Sequence, residues 1–349
     1  MPSPPLLLAG DIGGTKTLLR LSRGGTTLRE QRFESAAYPG LHAMLAAFLD
    51  DLDGSAPQSA CFGVAGPVQG RQARVTNLPW SVDADEIAVR FGMARVALIN
   101  DFQAVAYGIE MLGADDLLTL QAGQAAPHAP RAVIGAGTGL GEGYLTWQDD
   151  HYHAWPSEGS HADFAPADER QADLWRWLKQ RHGHVSWERV VSGPGLLAIY
   201  DFLRARKEHP ESAQLAAALR GNDPAAAISA HALQHGDPLA DAALDLFAAA
   251  WGAETGNLAL KILPSGGMYV AGGIAPKIAE RLKTGGFLRA FRAKGRFAGM
   301  LESFPVHVVL NPLVGLLGAE NVAGRISKQN RPRLEPRSHF QNTFSAHQQ

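Results

Sequence analysis

The chain has 349 residues, more than one hydrophobic core usually fills, so two domains are expected. Its 32 basic and 34 acidic side chains nearly cancel, which argues against nucleic acid or a membrane surface as the main partner and points to a small molecule. A single cysteine, Cys61, excludes an intramolecular disulfide and a multi-cysteine zinc site and fits a reducing compartment. Met1-Pro-Ser-Pro-Pro lacks a positive leader region, and no apolar run approaches the ~18 residues of a membrane span, so a cytoplasmic location is expected.

Leu6 to Ala9 is an apolar run of buried-strand length, and Leu18, Leu19 and Leu21 resume one after Gly10-Asp-Ile-Gly-Gly-Thr15. The pattern predicts strand, tight turn, strand. Gly13 and Gly14 allow positive φ and leave room for a ligand to approach bare backbone N–H groups, with Thr15 and Lys16 adding side-chain donors. Two readings stay open: a plain hairpin turn, or a phosphate cradle in which Asp11 tolerates the anion across a divalent cation. The P-loop pattern is absent.

Leu41, Met44, Leu45, Phe48, Leu49 and Leu52 recur at helical spacing, and residues 59–63 read as a strand that buries Cys61. Gly66-Pro67 is a turn in the loop after it. Asp83 to Phe91 reads as a helix, and Arg95 to Ile99 as a strand that delivers Asn100 and Asp101 at its carboxyl end. This βαβ order predicts an α/β fold, in which ligands gather beyond the carboxyl ends of the strands. Phe102 to Leu112 continues as a helix, and residues 121–130 read as a linker or long loop.

Ala132 to Ile134 predicts a strand, followed by Gly135-Ala-Gly-Thr-Gly-Leu-Gly141 and a strand-like run from Gly143 to Trp147. The glycine spacing does not fit the dinucleotide fingerprint, and no helix follows. It repeats the first motif instead. Two such hairpins would hold the phosphate chain of one nucleotide from opposite domains, unless the second is a chance turn. Residues 151–170 are polar and aromatic and read as a loop that carries chemistry. Glu158 and His161, three apart, suit hydrogen bonding to a polyol better than metal ligation, because no second Glu-x-x-His occurs.

Leu174 to Gln180 reads as a helix, and Trp187 to Gly195 as a turn before the helix Leu196 to Leu203, with Glu188 partly buried between Trp187 and Val190. Residues 211–261 are alanine-rich and helical, with Leu244, Phe247, Ala248 and Trp251 as a core stripe. Met268 to Ala271 is a strand running into Gly272-Gly-Ile-Ala-Pro276 and a helix from about Lys277. Gly272 and Gly273 there would let a flat ring such as adenine lie on bare backbone. Pro305 to Leu310 is the last strand and Leu313 to Val322 the last helix; residues 329–349 read as a disordered tail.

Six motifs stand in order along the chain: Gly-Asp-Ile-Gly-Gly-Thr at 10–15, Leu-Ile-Asn-Asp-Phe at 98–102, Gly-Ala-Gly-Thr-Gly-Leu-Gly at 135–141, Ser-Glu-Gly-Ser-His at 157–161, Glu-Arg-Val-Val-Ser-Gly-Pro-Gly at 188–195 and Ala-Gly-Gly-Ile at 271–274. Together they resemble the prokaryotic ATP-dependent glucokinase family. The resemblance implies a two-domain actin-like (ribonuclease H-like) ATPase fold with an interdomain cleft. The small α/β domain would be residues 1–111 plus about 312–328, and the large one 112–311.

By the same resemblance, Gly10, Asp11, Ile12, Gly13, Gly14 and Thr15, with Gly137 and Thr138, hold the ATP phosphates, and Gly272 and Gly273 the adenosine. Asp11 holds Mg2+ through water. Asn100, Asp101, Glu158, His161, Glu188, Thr138 and Gly139 fall on glucose-binding positions, and Asp101 on the catalytic base. Lys16 departs from the Asn that many family members carry there. It matches the related repressor and sugar kinase family, which normally has a cysteine-rich zinc motif after its sugar-binding histidine. Ala162-Asp-Phe-Ala-Pro166 has no cysteine, which favours glucokinase. The expected activity is Mg-ATP-dependent phosphorylation of D-glucose at the 6-hydroxyl by a homodimer that binds no nucleic acid and no membrane. A broader hexose or N-acetyl-sugar kinase, or a non-catalytic sugar-sensing regulator, stands as the alternative.

Overall fold

The structure, a computed structural model, describes residues 3–50, 56–284 and 286–328; the expected disordered tail lies outside them. The described chain forms two compact units, one running to Asp101 and resuming at Ala319, the other Phe102–Gly318. No helix among the described residues is long and apolar enough to cross a membrane.

The first unit is built on β1 (Leu6–Ile12), β2 (Lys16–Arg23) and β3 (Thr26–Glu34), followed by α1 (Leu41–Leu49) and β4 (Ser59–Val64). Three short strands come next, β5 (Val68–Gln69), β6 (Gln72–Arg74) and β7 (Ser81–Asp83), then α2 (Ala84–Phe91) and β8 (Arg95–Asn100). The main sheet has the order β3-β2-β1-β4-β8, with β1, β4 and β8 parallel and β2 and β3 antiparallel. Leu41, Met44, Leu45 and Phe48 bury one face of α1 in a core shared with Leu8, Ile12, Leu19, Phe33 and Phe62. β3 went unread in the sequence because it is an edge strand whose only buried side chain is Phe33, so it shows no apolar alternation.

The second unit contains α3 (Asp101–Gly108) from Phe102 onward, β9 (Leu117–Gln121), β10 (Arg131–Ala136), β11 (Leu140–Gln148), β12 (His151–Ser157), α4 (Glu169–His182), α5 (Gly193–Ala205), α6 (Ala213–Ala218), α7 (Pro224–Gln234) and α8 (Pro238–Ile262). After them come β13 (Met268–Ala271), α9 (Ala279–Lys283), α10 (Gly286–Arg292), α11 (Ala298–Ser303), β14 (Val306–Val309) and the start of α12 (Val314–Lys328). Its sheet runs β12-β11-β10-β13-β14-β9 and repeats the first unit's pattern, two antiparallel neighbours on one side of a central strand and two parallel ones on the other. Residues 151–157 are therefore a strand and not the expected loop. Tyr152 and Ala154 alternate inward beneath a polar exterior, a weak pattern. The long helix α8 is buried on nearly every side, and its Gly252 and Gly256 let the α10 backbone come so close that a Cβ would overlap the Phe287 and Phe291 carbonyl oxygens.

The sequence places the passage between domains after residue 111 and the return at about 312. In the structure the units divide at 101/102 and 318/319. The reason is a close helix crossing. A Cβ on Gly318 of α12 would overlap the Ala104 carbonyl oxygen, and one on Gly108 the Val314 carbonyl oxygen, so α3 and the first turn of α12 belong together. The rest of α12 closes the first unit: Glu320 accepts from Arg20 at 2.9 Å, and the Ala323 carbonyl from Ser59 Oγ at 2.8 Å. Gly318→Val is expected to drive α12 from α3 and cost at least about 1–3 kcal/mol, read as a lowered urea midpoint.

Candidate active site

In the first unit the β1–β2 hairpin closes with Gly13 N–H donating to the Lys16 carbonyl at 3.0 Å. Neither Gly13 nor Gly14 uses the positive φ that glycine allows. Both are glycine for lack of space: a Cβ would lie 2.8 Å from the Lys16 carbonyl oxygen in one case and 2.9 Å from that of Thr76 in the other. Ser35, which no sequence motif marks, braces the turn. Its Oγ donates to the Gly13 carbonyl at 2.7 Å and lies 3.0 Å from Thr17 Oγ1, while its N–H donates to the Thr15 carbonyl at 2.9 Å. Thr15 and Lys16 are exposed at the tip. Gly10 and Ile12 face the core instead, Gly10 under the Phe62 ring and Ile12 with its side chain fully buried, so neither offers a side chain to a ligand.

Parallel register aligns the next residues. Ile12 sits opposite Val64, and Val64 opposite Asn100, so Asp11 and Asp101 come to the same end of the sheet. Asp101 opens α3, where the helix dipole favours its ionised form. Asp11 is pushed up to about 6, first by burial and second by the negative charge of Asp101. A nearby divalent cation would relieve both effects, so the Asp11 carboxyl is compatible with one. Asn100 Nδ2 donates to the Gly66 carbonyl at 3.4 Å, and Ala65 N–H to the Ile12 carbonyl at 2.9 Å, which ties the 64–66 loop to both strand ends.

The second unit gathers the other expected residues around the β10–β11 hairpin. Gly137 N–H donates to the Gly139 carbonyl at 2.8 Å, leaving Thr138 exposed at the tip, with open space where a Gly137 side chain would be. Glu188 reaches back to this turn: its Oε2 accepts from Leu140 N–H at 2.9 Å, and a Cβ on Gly139 would lie 2.5 Å from that oxygen. Glu188 N–H donates to the Ser160 carbonyl at 3.0 Å. One residue thus fixes both the hairpin and the short turn Gly159–His161. Beside Glu188, the exposed Glu158 and His161 approach to 3.8 Å between Oε2 and Nε2. Ser192 caps α5, accepts from Gly195 N–H and donates to the Glu188 carbonyl; Ser followed by Gly-Pro was the sequence signal for that cap.

Gly272 and Gly273 lie alongside. Ala271 pairs with Gly135, and Gly272 takes φ +85 with its α-carbon against the Ala136 carbonyl, while Gly273 is exposed to open space. Phe102, the first residue of this unit, wedges its ring where Cβ atoms on Gly135 and Gly141 would be. Cys61 takes no part, being buried in β4 with its thiol pushed up by desolvation.

A family model described as glucokinase matches residues 8–326. A glucokinase of Nostoc sp. (strain PCC 7120) is 48% identical over 340 residues, covering 92% of this chain and 99% of that protein. The crystal structure of a glucokinase from an Antarctic psychrotroph superimposes with a TM-score of 0.81 at 30% identity, over 92% of this chain and 99% of the other. A ROK family glucokinase from Streptomyces griseus, solved with glucose and AMPPNP, shares the fold at 23% identity and a TM-score of 0.62, over 92% and 99% of the two chains.

Ser35→Ala leaves the Gly13 carbonyl and the Thr17 hydroxyl without their partner. It is expected to lower the unfolding free energy by about 1–3 kcal/mol, measured by chemical denaturation.

Proposed function

The chain belongs to the glucokinase family and has the actin-like ATPase fold, and from that premise we propose that it transfers the γ-phosphoryl group of ATP to the 6-hydroxyl of D-glucose with Asp101 as general base. The observation that carries the residue assignment is the alignment of Asp11 and Asp101 at one sheet end, where the first carboxyl is raised by burial and by the second.

Phosphoryl transfer passes through a loose transition state, so positioning and charge compensation do most of the work. Asp101 accepts the proton of the attacking hydroxyl. Its place in the first turn of α3 suits a negative charge, the form a base needs. Asn100 orients the sugar next to it. Asp11 would hold magnesium through water, and the ion would supply positive charge to the ATP phosphates. At the two hairpin tips the Gly13 and Gly137 N–H groups close the turns, and those of Gly14, Thr15 and Thr138 are the ones proposed to meet the phosphate chain. Gly272 and Gly273 leave flat, uncluttered backbone for adenine.

Glu158, His161 and Glu188 hold the ring hydroxyls. Glu188 already spends Oε2 on Leu140 N–H, so its free lone pairs point in a fixed direction. A sugar with one hydroxyl inverted leaves a buried polar group unpaired, which discriminates by up to ~10⁴. A coupled assay across glucose, mannose, galactose, fructose and N-acetylglucosamine tests this reading. Rapid turnover of glucose with ATP supports it, and turnover of none of the five overturns it.

Asp101→Ala is expected to lower kcat by ~10²–10⁴ while KM for glucose changes far less, in steady-state assays. The Asp11 carboxyl must be ionised to hold a cation, and it is neutral below about pH 6. kcat/KM for ATP should therefore fall as pH drops through about 6, added Mg2+ should move that limb to lower pH, and Asp11→Asn should abolish the limb while lowering kcat/KM throughout.

A further inference from the structure

Glu142 lies in β11 just past the second glycine hairpin, with 1% of its surface exposed, and Glu254 lies in mid-α8, fully buried. The proposed mechanism uses neither. The negative charge of Glu254 acts on Glu142, and among the described residues no hydrogen-bond donor reaches Glu142 Oε1 or Glu254 Oε1, so the two orphaned carboxyl oxygens are the natural place for a shared proton. Two buried carboxylates in contact repel, whereas one proton between them makes a strong hydrogen bond.

The surroundings assign that proton. Glu254 has the cations on its side: Lys261 Nζ lies 3.8 Å from its Oε1, and Asn257 Nδ2 donates to its Oε2 at 2.8 Å. Lys294 Nζ in turn donates to Asn257 Oδ1 at 2.7 Å and to the Ala253 carbonyl at 2.8 Å. Glu142 shares Lys261 as an opposing charge but has no amide donor like Asn257, and it faces Gly159. A Cβ there would overlap Glu142 Oε2, so the turn between Glu158 and His161 rests directly on the Glu142 carboxyl. Ser157, the register partner of Glu142, holds the same turn by accepting from Gly159 N–H at 3.0 Å.

We propose that Glu142, by sharing one proton with Glu254, is a positioning residue for glucose: it sets the height of the turn that carries Glu158 and His161. The inference rests on the reading of that turn as part of the sugar site. Burial, then the charge of Glu254, push the Glu142 carboxyl up to about 8, with Lys261 opposing. The native chain therefore keeps a proton that the unfolded chain releases. Stability from this pair is complete at acid pH and declines as pH rises from the ordinary carboxyl value near 4.5 to about 8. Above that the pair is doubly charged, and Lys294, whose own pKa is lowered by burial, is a further charged group facing it.

The test measures kcat and both KM values from about pH 6 to 9 for the full chain, Glu142→Gln, Glu142→Ala and Glu158→Ala. Wild type should show KM for glucose rising above about pH 8 with KM for ATP flat. Glu142→Gln keeps a neutral hydrogen bond to Glu254, so it should retain the wild-type KM near neutrality and lose the alkaline rise. Glu142→Ala should raise KM for glucose about tenfold and leave KM for ATP within about twofold. An alkaline rise undiminished in Glu142→Gln overturns the inference, as does an unchanged KM for glucose in Glu142→Ala. If Glu158→Ala raises KM for glucose while Glu142→Ala does not, the inference fails alone. An unchanged KM in Glu158→Ala overturns the sugar-site reading and the inference with it.

Discussion

Strand register is the constraint on which the first unit's chemistry depends. Because β1, β4 and β8 run parallel with Ile12, Val64 and Asn100 in line, their carboxyl ends are level, and the residues that follow cannot avoid sharing one rim. Slipping β8 by a single position would turn Asn100 and its neighbours to the opposite faces. The cost of this arrangement appears as the raised Asp11 carboxyl, held up first by burial and second by the charge of Asp101, which the fold retains although an apolar pair there would be cheaper. Unfavourable charge kept at a strand end is the signature of a site that expects a counter-ion.

Glycine does two different jobs in this molecule. At Gly272 the backbone needs positive φ, and only glycine adopts it without strain. At Gly13, Gly14, Gly139 and Gly159 the φ values are ordinary, and the missing side chain makes room for a carbonyl or a carboxylate. The second kind fixes the site more tightly, because each glycine is seated against a named oxygen. Gly139 against Glu188 and Gly159 against Glu142 show how the hairpin and the turn are held by acids from elsewhere in the same unit.

Much of this was legible in the chain itself. The central strands β1 and β10 read clearly because both of their faces are buried and their apolar runs are continuous. The edge strands β3, β9 and β12 did not, since an edge exposes one face and its residues look like loop. Among site residues, Asn100, Asp101, Glu158, His161 and Glu188 stand out by motif. Ser35 and Glu142 do not, because bracing a turn from a distance of over twenty residues in one case, and sharing a proton with a residue on another element in the other, leaves no local pattern. The reason Gly14 is glycine is hidden in a similar way: the Thr76 carbonyl that crowds it lies sixty-two positions away and cannot be seen from the turn alone.

The bond from Arg20 to Glu320 joins residues three hundred positions apart, and the Ser59–Ala323 bond nearly as many. The first unit therefore lacks one wall during synthesis until residues 320–323 emerge. At ~5–20 residues per second that wait is roughly 15–60 s, during which Leu7 and its strand neighbours would present an uncovered apolar face. Slow synthesis, early termination or any tag that hinders the final helix would thus injure the amino-terminal half first, an asymmetry opposite to the usual order in which nascent domains mature.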